Sequence, residues 1–258
     1  MNAAAGRIGI FDSGLGGISV LREIRRELPR AQLIYYADSG HCPYGRRSRG
    51  EILARATLIT EFLMGQGAQM IVVACNTATI AAVEHLRATY PLAFVGMEPA
   101  VKPAVAQTRS GVIGVLATGA ALGGDKFHHL LAQHGQSVRI ITQPCPGWVE
   151  QVEQGDLNSA RTHEKVAQYV EPLIAQGADT LVLGCTHYPF LRPVIQRIAG
   201  DDVVLIDTGA AVARQTRRVF EREGLQQGRD ACPVQWHSSG DPAEFDRVRA
   251  LLWQAPLG

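Results

Sequence analysis

Two cysteines stand at the ends of copies of one pattern. Cys75 closes the run Gln66-Gly67-Ala68-Gln69-Met70-Ile71-Val72-Val73-Ala74-Cys75. Cys185 closes Gln176-Gly177-Ala178-Asp179-Thr180-Leu181-Val182-Leu183-Gly184-Cys185, 110 residues further on (66 to 176). Each run passes from a helix exit through an apolar strand to a small residue and a thiol. A second pair, Ile8-Gly9-Ile10-Phe11-Asp12-Ser13-Gly14 and Ile113-Gly114-Val115-Leu116-Ala117-Thr118-Gly119, repeats at an offset of 105 (8 to 113). A chain of two similar halves can face two thiols across a cleft. Thiols so placed can take a proton from one face of a carbon and deliver another to the opposite face. Taken singly, a cysteine closing a buried strand is usually a small core hydrophobe; the repeat is what argues for chemistry.

Each thiol is followed by hydrogen-bonding side chains, Asn76-Thr77 and Thr186-His187. Each is also expected at a helix N-terminus, where backbone N–H groups and the helix dipole lower a thiol pKa from its ordinary ~8.5. Asp12, within Asp12-Ser13-Gly14-Leu15-Gly16-Gly17, and His187 are candidates to assist one thiol each. The plain alternatives are a helix cap for Asp12 and a structural imidazole for His187. The glycine turn is neither Gly-x-Gly-x-x-Gly nor a P-loop with its lysine, but its amides can hold a carboxylate at a helix N-terminus. Tyr44-Gly45, behind Cys42-Pro43, reads as a surface turn or as a loop over the cleft. Cys42 has no counterpart in the repeat and is read as structural or incidental. Cys145 and Cys232, each followed by proline, are read as structural. The eight histidines show no metal-ligand spacing, so no metal is expected.

The scaffold must bring strand ends together. Strands are expected at Arg7–Phe11, Leu33–Tyr36, Met70–Ala74, Ala93–Gly96, Val112–Leu116, Val138–Thr142, Thr180–Gly184, Val203–Ile206 and Val234–His237. Most are continuous apolar runs, as in parallel strands covered on both faces. Helical stripes lie between them: Val20, Leu21, Ile24 and Leu28, then Leu53, Ala56, Ile59 and Leu63. A last helix is expected from Pro242, capped by Asp241 and burying Phe245, Val248, Leu251 and Leu252. The alternation gives an α/β protein with mainly parallel sheets, and polar residues gather at the carboxyl ends of strands, where such sheets bind ligands. The chain is expected to switch domains near Met97–Pro99 and return near Asp207–Gly209. That makes one domain of residues 1–97 plus 208–258, carrying Asp12 and Cys75, and another of 98–207, carrying Cys185 and His187.

The 258 residues are 46% hydrophobic and 19% charged, enough to build a core, and the net charge of +1 offers no electrostatic case for nucleic acid or an anionic membrane. No run approaches the ~18 apolar residues of a membrane span, and Met1–Arg7 lacks the pattern of a signal peptide. Five cysteines with no Cys-x-x-Cys pair argue against a disulfide framework, so a reducing cytoplasm is expected.

Five segments in order resemble the glutamate racemases of the aspartate/glutamate racemase superfamily. They are Ile8 to Gly17, Pro43-Tyr44-Gly45, Val73-Ala74-Cys75-Asn76-Thr77-Ala78-Thr79, Gly184-Cys185-Thr186-His187-Tyr188-Pro189 and Ile206-Asp207-Thr208-Gly209-Ala210. The resemblance implies two pseudo-symmetric flavodoxin-like domains with the active site in the cleft between them. It implies interconversion of L- and D-glutamate without pyridoxal phosphate or another cofactor, for peptidoglycan synthesis, and a homodimer is expected. By position, Cys75 and Cys185 match the acid/base thiols, acting on the D- and L-enantiomer respectively, and Asp12 and His187 match the auxiliary positions. Glu153 matches a supporting glutamate. Asp12-Ser13, Tyr44-Gly45, Asn76-Thr77, Thr118 and Thr186-His187 match substrate-holding segments. The chain departs from the family at Ala121 and Gly124, where threonine and serine are common, and at Cys42, where an apolar residue is common. On the residues alone two other readings stay open: a racemase for aspartate or another small acid, and a two-domain binding protein whose thiols only pack.

Overall fold

The computed structural model describes residues 5–134 and 137–257, so Met1–Ala4, where no signal-peptide pattern is expected, lies outside the described residues. The chain opens β1 (Arg7–Asp12), α1 (Ile18–Glu27), β2 (Gln32–Ala37), α2 (Arg49–Gly65), β3 (Met70–Val73), α3 (Asn76–Thr89), β4 (Ala93–Val95) and α4 (Val101–Gln107). It continues β5 (Val112–Ala117), α5 (Gly119–Leu122), α6 (Asp125–His134), β6 (Arg139–Pro144), α7 (Trp148–Glu153), α8 (Ala160–Ala175) and β7 (Thr180–Leu183). It closes α9 (Arg192–Ala199), β8 (Val204–Ile206), α10 (Gly209–Arg222), β9 (Gln235–Ser238) and α11 (Pro242–Gln254). All nine expected strands are present, shifted by a residue or two at their ends, as helix and strand limits commonly are.

The strands form two parallel sheets, ordered β4-β3-β1-β2-β9 and β6-β5-β7-β8. The order β2-β1-β3-β4 of the first matches β6-β5-β7-β8 of the second. β5 therefore stands where β1 stands and β7 where β3 stands, so the repeat in sequence is a repeat in space. β3 and β7 are buried along their whole length, which is why they read as unbroken apolar runs.

The Gln-Gly-Ala signal has a local cause. Gly67 and Gly177 have φ of +83° and +88°, the left-handed conformation that glycine adopts without a Cβ penalty. In α2 the Gly67 N–H donates to Met64 O and the Ala68 N–H to Leu63 O; in α8 Gly177 donates to Ile174 O and Ala178 to Leu173 O. Both helices end in the same Schellman turn, aiming the chain into the next strand. Leu63 and Leu173 are fully buried at equivalent places, packed against Gly9 and Gly114 in the central strands.

α11 begins at Pro242, with the Asp241 side chain accepting the Glu244 N–H. Phe245, Val248 and Leu252 are buried as expected, but Leu251 is 44% exposed. It lies one residue, about 100°, round the helix from Leu252 and so turns away from the sheet. In α2, Leu53 is half-buried while Ala56, Ile59 and Leu63 are buried. One apolar cluster runs from Leu15 and Ile18 beside the first sheet to Leu183, Cys185 and Tyr188 beside the second. Among the described residues, no helix is long and apolar enough to cross a membrane.

Leu63→Ala and Leu173→Ala should each destabilise the protein by about 2 to 5 kcal/mol, with Leu251→Ala staying within about 0.5 kcal/mol. Urea unfolding checks this; equal losses at all three sites would contradict the packing described.

Candidate active site

Beyond β3 the chain turns directly into α3, with Cys75 as the N-cap. The thiol accepts the Ala78 N–H at 3.5 Å and lies 3.8 Å from Ser13 Oγ. Asp12, the last residue of β1, stands beside that thiol, and the two influence each other's charge. The carboxyl is fixed by the Gly17 N–H at 2.8 Å and flanked by the Ser13 and Thr186 hydroxyls, each at 3.4 Å. Burial, then the Asp12 charge, pushes the Cys75 thiol well above its ordinary range, against the Ala78 N–H and Ser13. Burial likewise raises Asp12, opposed by His187 and the Gly17 N–H. Burial thus disfavours the charged form of both neighbouring acids on this wall.

The Cys185 wall is built differently. Thr79 donates its N–H to Cys75 O at 2.8 Å, the first bond of α3. The residue 110 positions later is Pro189, which has no N–H to donate. No α-helix can start on Cys185. Instead Tyr188 donates to Cys185 O at 3.1 Å, and a 3₁₀ turn over Tyr188–Leu191 leads into α9. The expected helix N-terminus therefore holds at Cys75 and fails at Cys185. What Cys185 has is a ring: Sγ lies 3.6 Å from His187 Nδ1, while His187 Nε2 lies 2.6 Å from Glu153 Oε1. Burial works against charge on this ring, but Cys185, Cys42 and Glu153 outweigh it and hold the imidazolium well above its ordinary value. A cation there stabilises negative charge developing on the neighbouring sulfur.

The glycine turn joins the walls. A Cβ at Gly14 would overlap the Glu153 carboxylate, and one at Gly16 the His187 ring. The Leu15 N–H donates to Glu153 Oε1 at 2.6 Å. The turn does hold carboxylates on its amides, as the sequence allowed, but they are the protein's own: Glu153 on Leu15 and Asp12 on Gly17. Ser19 Oγ donates to Thr186 O at 2.9 Å, a further tie between the walls.

Tyr44 is buried and donates to Asp38 Oδ2 at 2.6 Å. Asp38, fully buried, also accepts two bonds from Arg55, at 2.9 and 2.7 Å, and one from Ser239 at 2.7 Å. This anchor makes Tyr44-Gly45 a fixed lip of the cleft. Gly45 lies against Thr118, where a Cβ would stand 3.1 Å from Thr118 Cβ. Thr118 caps α5 and meets Thr77 at 3.1 Å between hydroxyls. Asn76 Oδ1 is buried and unpartnered.

Ser13, Tyr44, Gly45, Cys75, Asn76, Thr77, Thr118, Cys185, Thr186 and His187 line one cavity of about 10 Å³, the room one water needs. Asp12 and Glu153 stand behind it. Every residue expected at the site is thus gathered there, and the surface-turn alternative for Tyr44 is set aside. Two features escaped the sequence. Asp38 continues β2 as Asp12 ends β1, and that strand-end carboxylate was the available signal. Cys42, read as structural or incidental, has its sulfur within 4.8 Å of ligand atoms on both Glu153 and His187; no spacing could have shown a neighbourhood built from three separate segments.

Residues 8–216 match the Asp/Glu/hydantoin racemase family, and the chain belongs to that family. It is 52% identical over 246 residues to the glutamate racemase of Herpetosiphon aurantiacus, covering 95% of this chain and 97% of that one. It is 54% identical over 253 residues to that of Ectopseudomonas mendocina, with 98% and 96% covered. Among solved structures it resembles Escherichia coli glutamate racemase in complex with L-glutamate and the activator UDP-MurNAc-Ala, with a TM-score of 0.86, 29% identity and 96% and 94% coverage. It also resembles the Thermus thermophilus enzyme in complex with β-chloro-D-alanine, with a TM-score of 0.80, 31% identity and 96% and 93% coverage.

Arg55→Ala should cost about 3 kcal/mol, because it takes the cationic partner away from a buried carboxylate. Asp38 is held below its ordinary 3.8, since hydrogen bonds from Arg55, Tyr44 and Ser239 overcome its burial. Its contribution is present above that pH and lost as pH falls through the lower, folded value. Urea unfolding of the parent should show that acid loss and Arg55→Ala should show less of it; equal stability at neutral pH would contradict the anchor.

Proposed function

We propose that this protein is a glutamate racemase, an isomerase that interconverts L- and D-glutamate by direct proton transfer at the α-carbon and supplies D-glutamate for peptidoglycan. The observation that carries the reading is the pairing of Cys75 and Cys185, one at the end of β3 and one at the end of β7, on opposite walls of a single cavity. The near-full-length identity to bacterial glutamate racemases supports the substrate.

In this reading one thiolate removes the α-proton while the opposite thiol donates its own. For L-glutamate, Cys185 is the base and Cys75 the acid; for D-glutamate the roles reverse. His187, backed by Glu153, offsets charge on the Cys185 sulfur, and Asp12 serves Cys75. Burial raises the Cys75 thiol, and its neighbours raise the His187 imidazolium beside Cys185, a difference that suits Cys75 to the acid role and Cys185 to the base role on L-glutamate. The α-carbon is a far weaker acid than a thiol, so carbanion formation depends on preorganised donors and exclusion of water. Ser13, Thr77, Thr118 and Thr186 offer hydroxyls to the substrate carboxylates, and Asn76 Oδ1 offers an acceptor to its ammonium group. Tyr44 and Gly45 close the lip.

A cavity of about 10 Å³ does not admit an amino acid. We assign two domains, residues 1–97 with 208–258 and residues 98–207, that part for substrate entry and close for chemistry. The exposed Arg46–Glu150 ion pair spans these domains and separates on opening. Five free cysteines suit a reducing cytoplasm. A homodimer is proposed, and light scattering should give about twice the 27.8 kDa chain mass.

Proton NMR in D₂O, alongside circular dichroism and without pyridoxal phosphate, tests the function. L-glutamate should lose its α-proton signal and its optical activity together, with aspartate and glutamine much slower. No exchange by reduced protein would contradict the assignment.

Cys75→Ala and Cys185→Ala should each lower racemisation by at least about 100-fold. Given 3-chloroglutamate, which loses HCl once its α-proton is removed, Cys75→Ala should still act on the L-isomer and Cys185→Ala on the D-isomer. The opposite pattern would reverse the assignment of faces.

A further inference from the structure

We propose that Cys42, His187 and Glu153 form a binding site for a zinc ion that staples the cleft shut and inhibits the enzyme. The inhibition rests on the racemase reading above; the binding does not.

The three side chains come from separate segments: the loop after β2, the turn after β7 and the last residue of α7. Their ligand atoms lie within 4.8 Å of one another. Zinc sits about 2.0 Å from imidazole nitrogen and carboxylate oxygen and about 2.3 Å from sulfur, which in a tetrahedron spaces ligand atoms about 3.3 to 3.6 Å apart. The Glu153 Oε1 to His187 Nε2 contact of 2.6 Å must therefore open, by less than about 1 Å. The thiol must close by a comparable amount.

The donor set suits zinc. A thiolate, an imidazole and a carboxylate make three protein ligands and leave a fourth position for water. His187 uses Nε2 here, because Nδ1 faces Cys185. The Leu15 N–H and the Ser39 hydroxyl already contact the Glu153 carboxylate, at 2.6 and 3.5 Å, and would hold it as an outer shell. Cys42 would bind as the thiolate, so the cation takes the place of its proton. On binding, the thiol proton and the proton on His187 Nε2 pass to solvent. The ion's two charges then meet one thiolate and one carboxylate, leaving a neutral centre. Cys42 is half-buried and the Glu153 side chain 18% exposed, so an ion has a path in.

Two consequences follow for the reaction. Metal on Nε2 leaves His187 unable to carry the extra proton that supports Cys185. A bond from Cys42 on one wall to His187 and Glu153 on the other also fixes the closed cleft, whose cavity cannot take glutamate. Zinc and glutamate therefore exclude each other.

The test uses the whole reduced protein in a buffer free of chelators. Equilibrium dialysis with Zn²⁺ should give one ion per chain, and Co²⁺ in its place should show a thiolate-to-cobalt charge-transfer band. Inhibition of racemisation should be relieved by EDTA and competed by glutamate. Cys42→Ala, or Cys42→Ser if the first fails to fold, should lose the band and need at least about 10-fold more zinc for half-inhibition of its own rate. An unchanged band and unchanged inhibition in that variant would overturn the proposal and move the metal to Cys75 or Cys185. Absence of a thiolate band in the parent would also overturn it. A parent that binds one ion through Cys42 but does not racemise glutamate would retire the functional reading and leave the metal site standing.

Discussion

A carbon can be approached from both faces only if two bases stand on separate walls with nothing wider than the substrate between them. That constraint explains the duplicated architecture. β3 and β7 occupy the same place in two sheets of the same order, and each delivers a sulfur at its carboxyl end. Placing both thiols on one strand or one loop would put them on the same side of any bound molecule. The cavity between them, about 10 Å³, has no room for bulk water.

The scaffold is symmetric but its electrostatics are not. On the Cys75 wall, burial and Asp12 favour a held proton, with the first turn of α3 supplying one N–H to the sulfur. On the Cys185 wall, Pro189 removes the helix and His187 takes its place, itself held by Glu153. The difference has a use. A reversible two-base reaction needs one acid and one base at the start of each turnover, and two identical walls would begin with two of the same. The glycine turn couples the walls: Asp12 takes the Gly17 amide and Glu153 the Leu15 amide, so both helper carboxylates share one short segment.

Much of this was legible in the chain. All nine strands could be read because buried parallel strands are unbroken apolar runs, and the Gln-Gly-Ala exits could be read because a Schellman turn needs glycine at the left-handed position. Most residues that line the cavity could be picked out because the repeat and the strand-end positions mark them, while Glu153 was carried by the family resemblance alone. The difference between the two cysteines was also written in the sequence, as Thr79 against Pro189, although comparing the strands alone does not reveal it. Leu251 was misplaced because a contiguous apolar pair cannot both face one sheet from a helix. Cys42 and the Asp38–Arg55 anchor were missed for a deeper reason: their partners lie more than a hundred residues away or on another element, and only the folded chain brings them together.

The central claim is that two different groups handle the proton on the two faces. The direct measurement follows L-glutamate in D₂O through the first tenth of the reaction, separating the enantiomers and measuring α-deuterium in each. Two bases predict D-glutamate that carries solvent deuterium in essentially every molecule, while the remaining L-glutamate keeps its proton. Substantial α-proton retained in the D-product, or deuterium entering L-glutamate as fast as D-glutamate forms, would mean that one group serves both faces and would contradict the account.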